Sequence, residues 1–221
     1  MPDLSIPPRF SLVVPAFNRA AMMPRVIESA LRQDFRDFEL LVVDDGSSDE
    51  TVAAVERYTS DARVRLIRHS VNRGVCAARN TAIDHARAPW LVMLDSDFEL
   101  LPGGLARLDA ICASVASDVG NAATTCCWDT GKTTPSPHPG RDLTLAYPDY
   151  LRFVAGLRVS EWFNCIRREV FDQIRFPTGR AYEAGLHLGL AKRWRFHFSC
   201  AQVALIHTDA TNRITASPPL A

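Results

Sequence analysis

Apolar and polar positions switch between two periods along the first hundred residues. Residues 10–14 form a short β-rich run that ends at Pro15. Over residues 19–33, Met22, Met23, Val26, Ile27, Ala30 and Leu31 recur at the spacing of a helix. Residues 38–43 are almost continuously apolar and read as a strand buried on both faces. The turn and cap residues Asp44-Asp45-Gly46-Ser47-Ser48 stop that strand, and Ser48 or Asp49 is placed to cap a helix running to Tyr58. Residues 64–68 read as a third strand, the alanine-rich residues 74–86 as a helix and residues 90–94 as a fourth strand. The order βαβαβαβ predicts a predominantly parallel, Rossmann-like sheet flanked by helices, an α/β fold.

Downstream the pattern loosens. Residues 102–116 read as a helix, 121–128 as a strand, 147–155 as a helix and 161–166 as a strand with a short helix after it. Residues 183–193 read as a helix and 195–206 as a last strand or two. Residues 129–142 carry Thr, Pro, Gly and His with little apolar anchoring and read as a mobile surface loop. No internal repeat is present. The expected organisation is one domain over 1–221, with residues 1–100 and 101–210 as its two halves and 211–221 as a tail.

Charge narrows the functional classes. The 25 basic and 25 acidic side chains cancel, so no basic excess points to nucleic acid. The six cysteines form no C-x-x-C pair and read as reduced, mostly buried thiols in the cytoplasm. The first residues, Met1-Pro2-Asp3-Leu4, lack the basic and apolar regions of a signal peptide. No apolar run approaches the roughly 20 residues that span a bilayer, which leaves peripheral attachment to a membrane open.

In an open parallel sheet, ligands bind outside the carboxyl ends of the strands. Three polar clusters fall at such ends: Pro15-Ala16-Phe17-Asn18, Asp44-Asp45-Gly46 and Asp95-Ser96-Asp97. A spacing of two in an extended segment turns Asp95 and Asp97 to one side, where two carboxylates repel unless a cation lies beside them. Mg²⁺ or Mn²⁺ takes oxygen ligands, often only one or two carboxylates, and leaves positions for substrate phosphates. For a lone D-x-D the plainer reading is a solvated turn. Its place after a buried strand, with two other clusters at the same rim, favours the metal. A carboxylate of Asp44 or Asp45 can accept the imide N–H of uracil, and either can instead cap the following helix. Arg79 lies in a helical stretch, on a solvated face or as a phosphate or carboxylate clamp. His207 ends the last apolar strand, where a lone histidine is more often structural than a ligand.

Four motifs in order then make a resemblance specific. They are Ser11-Leu12-Val13-Val14-Pro15-Ala16-Phe17-Asn18; Val42-Val43-Asp44-Asp45-Gly46-Ser47-Ser48-Asp49; Asn72-Arg73-Gly74 with Ala78-Arg79-Asn80; and Leu94-Asp95-Ser96-Asp97. Together they resemble the family 2 glycosyltransferases of the GT-A fold, over about the first half of the chain. Ile166-Arg167-Arg168-Glu169-Val170-Phe171 also looks like the family's segment before its base-bearing helix.

The resemblance implies an inverting, metal-dependent transfer of a sugar from a nucleoside-diphosphate donor to an acceptor hydroxyl, with Mn²⁺ or Mg²⁺ as cofactor. The acceptor would be a carbohydrate or a lipid-linked glycan, in glycan or polysaccharide synthesis. Pro15, Ala16, Phe17 and Asn18 would line the nucleoside pocket. Asp45 would recognise the base with Asp44 beside it, which favours UDP. Arg79 would sit close to the nucleotide, and Asp95 and Ser96 would approach the ribose and metal shell. Asp97 would ligate the metal, and His207 would complete the metal or diphosphate site. Where the family carries Glu-Asp, this chain has Ala181-Tyr182-Glu183-Ala184-Gly185, which leaves Glu183 as general base and Glu161 as second candidate. The missing acid keeps a non-catalytic nucleotide-sugar-binding module in view. A nucleotidyltransferase is a further alternative, although no Gly-rich basic loop follows the first strand. The absence of G-x-G-x-x-G there weighs against a dinucleotide oxidoreductase.

Overall fold

The computed structural model describes residues 6–159, 161–177 and 184–209. The first part alternates strand and helix: β1 (Phe10–Ala16), α1 (Met23–Leu31), β2 (Phe38–Asp44), α2 (Thr51–Glu56), β3 (Val64–Arg68), α3 (Val75–His85) and β4 (Trp90–Met93). The second part holds β5 (Phe98–Leu100), α4 (Gly104–Ser114), β6 (Val119–Trp128), β7 (Thr133–Thr134), β8 (Leu143–Leu145) and α5 (Asp149–Ala155). It continues with β9 (Phe163–Arg167), a 3-10 turn (Arg168–Asp172), α6 (Ala184–Ala191) and β10 (Arg195–Ile206).

All ten strands join one sheet with the path β3-β2-β1-β4-β9-β6-β10-β5, with β7 added on β6 and β8 on β10. The first four strands are parallel neighbours, as the βαβ pattern predicts. β9 then enters antiparallel between β4 and β6, while β6 and β10 run parallel to each other. Two reversals restore direction, so β1, β2, β3, β4, β6 and β10 all end at one rim. β5 and β9 run the other way and begin there.

Alternation along the strands builds two cores. Leu12, Val14, Leu40, Val42, Trp90 and Val92 share one with Met23 and Ile27 of α1, Val55 of α2 and Leu105 and Leu108 of α4. Val13, Leu41, Val43, Leu91 and Met93 share the other with Ala78 and Ala82 of α3 and Leu186 and Leu190 of α6. Each fully buried aliphatic side chain contributes roughly 1.5–3 kcal/mol, which explains why these strands carry so few polar residues. α1 starts four residues later than its periodicity predicts. Residues 19–22 form a turn, with Met22 N–H on Arg19 O at 2.9 Å, and Pro24 in the first helical turn fixes the start.

Two features of the structure are not visible in the hydrophobic pattern. Residues 129–142 are anchored at several points, more than their composition suggests. β7 pairs with β6, Thr134 is buried and donates to Glu161 O at 2.9 Å, and Asp142 accepts from Ser199 Oγ and Cys200 N–H at 3.0 and 2.7 Å. The anchoring is polar, so hydrophobic patterning misses it. The other feature is Glu39, which lies inside the apolar run of β2 and is buried. Its carboxylate accepts from Ser11 Oγ at 2.7 Å and from the Arg87 backbone N–H and Nε at 2.8 and 3.0 Å. It thereby ties β1, β2 and the α3–β4 connection at the edge opposite the rim. Among the described residues no helix is long and apolar enough to cross a membrane.

Burial alone would raise the Glu39 pKa, but the Ser11 hydroxyl and the Arg87 N–H and guanidinium outweigh it and hold it below the usual glutamate range. A lowered folded pKa stabilises above the unfolded value and is lost as pH falls through the folded value. Glu39→Ala is therefore expected to cost about 3 kcal/mol at neutral pH, because it orphans buried donors. Urea unfolding at pH 7 and pH 3 should show the gap between wild type and variant shrinking in acid.

Candidate active site at the strand rim

The chain leaves β1 toward β2 on one side and leaves β4 toward β5 on the other. Neighbouring parallel strands that part in this way open a crevice at their carboxyl ends. Pro15 and Ala16 close β1 in register with Val43 and Asp44 of β2. Phe17, at the crevice edge, is 42% exposed. Asn18 adopts a positive φ of 53°, a conformation Asn tolerates better than most residues. Its N–H donates to Ser47 Oγ and its Oδ1 accepts from Ser48 N–H, both at 2.9 Å. The β1 and β2 loops are thus locked together.

Asp45 is buried and accepts three hydrogen bonds: His69 Nδ1 at 2.6 Å, Arg73 N–H at 3.0 Å and Gly74 N–H at 2.7 Å. A carboxylate offers about four lone-pair sites, so most of its capacity closes the turn after β3 onto β2. His69 Nε2 continues to Thr81 Oγ1 on α3 at 2.9 Å. Gly46 packs under the same turn with φ 74°, and a Cβ there would meet the Val71 carbonyl carbon at 2.6 Å. Asp44 is also buried, but among the described residues its carboxylate has a hydrogen bond from the Ser47 N–H alone, at 3.4 Å from each oxygen. Neither acid caps α2. The N-cap is Glu50, with no side-chain cap bond, rather than Ser48 or Asp49; Asp49, one residue earlier, accepts from Thr51 N–H at 3.0 Å.

Arg79 is 3% exposed, which rules out a solvated helix face. It reaches across from α3, and its Nη2 donates to Asp95 Oδ1 at 2.7 Å. Its guanidinium lies 5.3 Å from the Phe176 ring centroid. From the β1 side, Arg19 Nε donates to Ser96 Oγ at 3.1 Å and its Nη1 to the carbonyls of Phe17 and Asn18 at 3.3 and 3.2 Å. Two arginines from opposite directions thus hold the Asp95-Ser96-Asp97 segment.

Asp97 and His207 meet through the sheet. β5 pairs antiparallel with β10, with Phe98 opposite Ile206, and the next ladder bond runs from His207 N–H to Asp97 O at 2.9 Å. The ladder therefore sets His207 across from Asp97. The imidazole Nε2 lies 2.8 Å from Glu99 Oε2 and Nδ1 lies 3.9 Å from Asp129 Oδ2. Glu161 lies at the same rim, just before β9. The buried Cys126 thiol is held well above the usual thiol range by burial first, then by the Glu161 charge, with Cys127 and Asp97 adding to it. Both carboxylates are within electrostatic reach of one sulfur. Glu183 lies outside the described residues.

Among the described residues, no three His, Cys, Asp or Glu side chains form a ready-made metal cluster. The donors at the rim still suit Mg²⁺ or Mn²⁺. Carboxylate oxygens predominate, and the His207 imidazole has the Glu99 carboxylate against Nε2, the kind of partner that metal-binding histidines commonly have. His69, Arg19, Glu99 and Asp129 were absent from the sequence-based set. None has a distinctive motif, and each becomes visible only when loops distant in sequence share the rim.

The profile of the family described as glycosyl transferase family 2 matches residues 11–174. The succinoglycan biosynthesis protein ExoO of Rhizobium meliloti is 43% identical over 121 residues, covering 53% of this chain and 34% of that protein. The GalNAc(5)-diNAcBac-PP-undecaprenol beta-1,3-glucosyltransferase of Campylobacter jejuni is 36% identical over 103 residues, covering 46% of this chain and 33% of that protein. The match thus spans about a third of the length of each of these relatives. Among solved structures, S. aureus TarS 1-349 in complex with UDP-GlcNAc superposes with a TM-score of 0.79 at 20% identity, covering 95% of this chain and 61% of that one. The mannosyltransferase PcManGT from Pyrobaculum calidifontis, in complex with GDP-Man and Mn²⁺, gives 0.66 at 22% identity, covering 97% and 60%. Fold, motif order and family match agree: this chain belongs to glycosyl transferase family 2 and has the GT-A fold.

Proposed function

We propose that this chain transfers a sugar from a nucleoside-diphosphate donor, with UDP favoured, to a hydroxyl of a carbohydrate or lipid-linked glycan, with inversion. The observation that carries the reading is the Asp95-Ser96-Asp97 segment at the β1/β4 crevice, gripped by Arg79 and Arg19 and faced by His207. Relatives named for succinoglycan biosynthesis and for a PP-undecaprenol substrate support the acceptor class. A fold neighbour in complex with UDP-GlcNAc supports the donor class. All six cysteines are free thiols, which suits work in the reducing cytoplasm.

In this reading Pro15, Ala16, Phe17 and Asn18 form the wall of the nucleoside pocket, and Asp44 and Asp45 read the base. Asp45 has about one lone-pair site to spare, and among the described residues Asp44 has the long Ser47 contacts alone. Arg79 holds Asp95 in place near the ribose. Asp97 and His207 hold Mn²⁺ or Mg²⁺, which would supply Lewis-acid neutralisation of the departing diphosphate. The acceptor oxygen attacks the anomeric carbon as the bond to the diphosphate breaks, and the acceptor proton passes to a carboxylate. Glu183 is the proposed base and Glu161 the second candidate. Such a base is typically worth about a hundred- to ten-thousand-fold.

Calorimetric titration of UDP, GDP and CDP, with and without Mn²⁺, tests the donor site. UDP should bind with a clear Mn²⁺ dependence that Asp97→Ala removes. Binding of none of the three would contradict the reading. For the base, Glu183→Gln should lower turnover at least a hundredfold and leave UDP affinity within about twofold. Full turnover in Glu183→Gln with loss in Glu161→Gln would move the role to Glu161.

A further inference from the structure

Glu99 lies on β5, two residues beyond Asp97, and reaches across the β5–β10 ladder to His207. Its Oε2 sits 2.8 Å from His207 Nε2, and its other oxygen faces Arg32 Nη2 at 3.5 Å. The second imidazole nitrogen has a different neighbour. Nδ1 is 3.9 Å from Asp129 Oδ2, beyond hydrogen-bond distance. The Asp129 carboxylate is taken by the Thr208 N–H at 2.8 Å and the Thr208 hydroxyl at 3.1 Å. The ring is well covered, with 16% of the side chain exposed.

This asymmetry fixes the proton. A carboxylate only accepts hydrogen bonds, so a neutral imidazole against Glu99 keeps its N–H on Nε2 and its lone pair on Nδ1. The β10 backbone is held as firmly as the ring. His207 N–H bonds Asp97 O at 2.9 Å, and Asp209, two residues on, is gripped by both terminal nitrogens of Arg25 at 2.8 and 2.9 Å.

We propose that Glu99 is a positioning residue that locks His207 in the Nε2–H tautomer and presents Nδ1 to the divalent cation held with Asp97. Arg32, shared with Glu28, adds a positive charge beside the Glu99 carboxylate. The assignment rests on the reading of His207 as a cation ligand. A carboxylate behind a ligating imidazole fixes its orientation and raises its basicity, and losing such a partner typically weakens metal binding about 10- to 100-fold.

Two measurements on the whole chain test it. Long-range ¹H–¹⁵N correlation of the metal-free wild type, at a pH well above the ordinary imidazole range and assigned against His207→Gln, should show His207 protonated on Nε2. Protonation on Nδ1 overturns the proposal, and this readout needs no variant at Glu99 that folds. Mn²⁺ binding in the presence of UDP, followed by electron paramagnetic resonance, should weaken about 10- to 100-fold in Glu99→Ala. Glu99→Gln retains an oxygen acceptor for Nε2–H and should stay within about threefold of wild type. Weakened binding in His207→Ala with unchanged binding in Glu99→Ala overturns the role of Glu99 and leaves His207 as a ligand. Unchanged binding in His207→Ala overturns the ligand reading itself, and the role of Glu99 with it.

Discussion

Parallel pairing of β1 with β4 sets the constraint from which the rest of the molecule follows. The chain must leave these neighbours toward opposite flanks of the sheet, so no direct chain connection joins their carboxyl ends. Every loop that reaches the opening must then be fastened from the side. Asn18 fastens the β1 loop to Ser47 and Ser48. Asp45 fastens the turn after β3. Arg79 and Arg19 fasten the segment after β4, and the β5–β10 ladder brings in His207. The rim's polar groups bond one another across loops, above two apolar cores that hold the strands.

The same rim is crowded with acids, which is costly unless each charge is balanced. The structure distributes the compensation. Asp45 has His69 and two backbone N–H groups, Asp95 has Arg79, and Asp209 has Arg25. Glu99 has His207 and Arg32, and Asp129 has Thr208. Such local pairing allows acids to gather at one edge of a chain with zero net charge, where a cation and a diphosphate can join the same network.

The parallel half of the fold was legible because its strands are apolar runs closed by turn residues, and a run buried on both faces fits only a covered parallel sheet. Residues 38–43 and 90–94 illustrate this, and both end within a residue of the observed strands. Pairing partners were less legible. Nothing in Phe163–Arg167 says that it inserts antiparallel between β4 and β6, because periodicity reports burial and not the neighbour. Residues 129–142 look loose by composition, yet Thr134 and Asp142 anchor them through hydrogen bonds. Glu39 reads as a blemish in an apolar strand until Ser11 and Arg87 are seen around it. At the site, Asp95-Ser96-Asp97 was found from its place after a strand. For Arg79 the sequence fits a solvated face and an anion clamp equally, and its burial decides between them. His69 and Glu99 gave no signal, since each acts through a partner far along the chain.

The central claim is that the β1/β4 crevice binds a nucleoside diphosphate together with a divalent cation at Asp97. Anomalous diffraction at the manganese edge, from crystals grown with UDP and Mn²⁺, tests it most directly. The account predicts a single strong peak within coordination distance of Asp97, roughly 2.0–2.3 Å for oxygen ligands, with His207 beside it and the diphosphate completing the shell. UDP seated in the crevice with manganese bound elsewhere, or no nucleotide density at the rim at all, would contradict it.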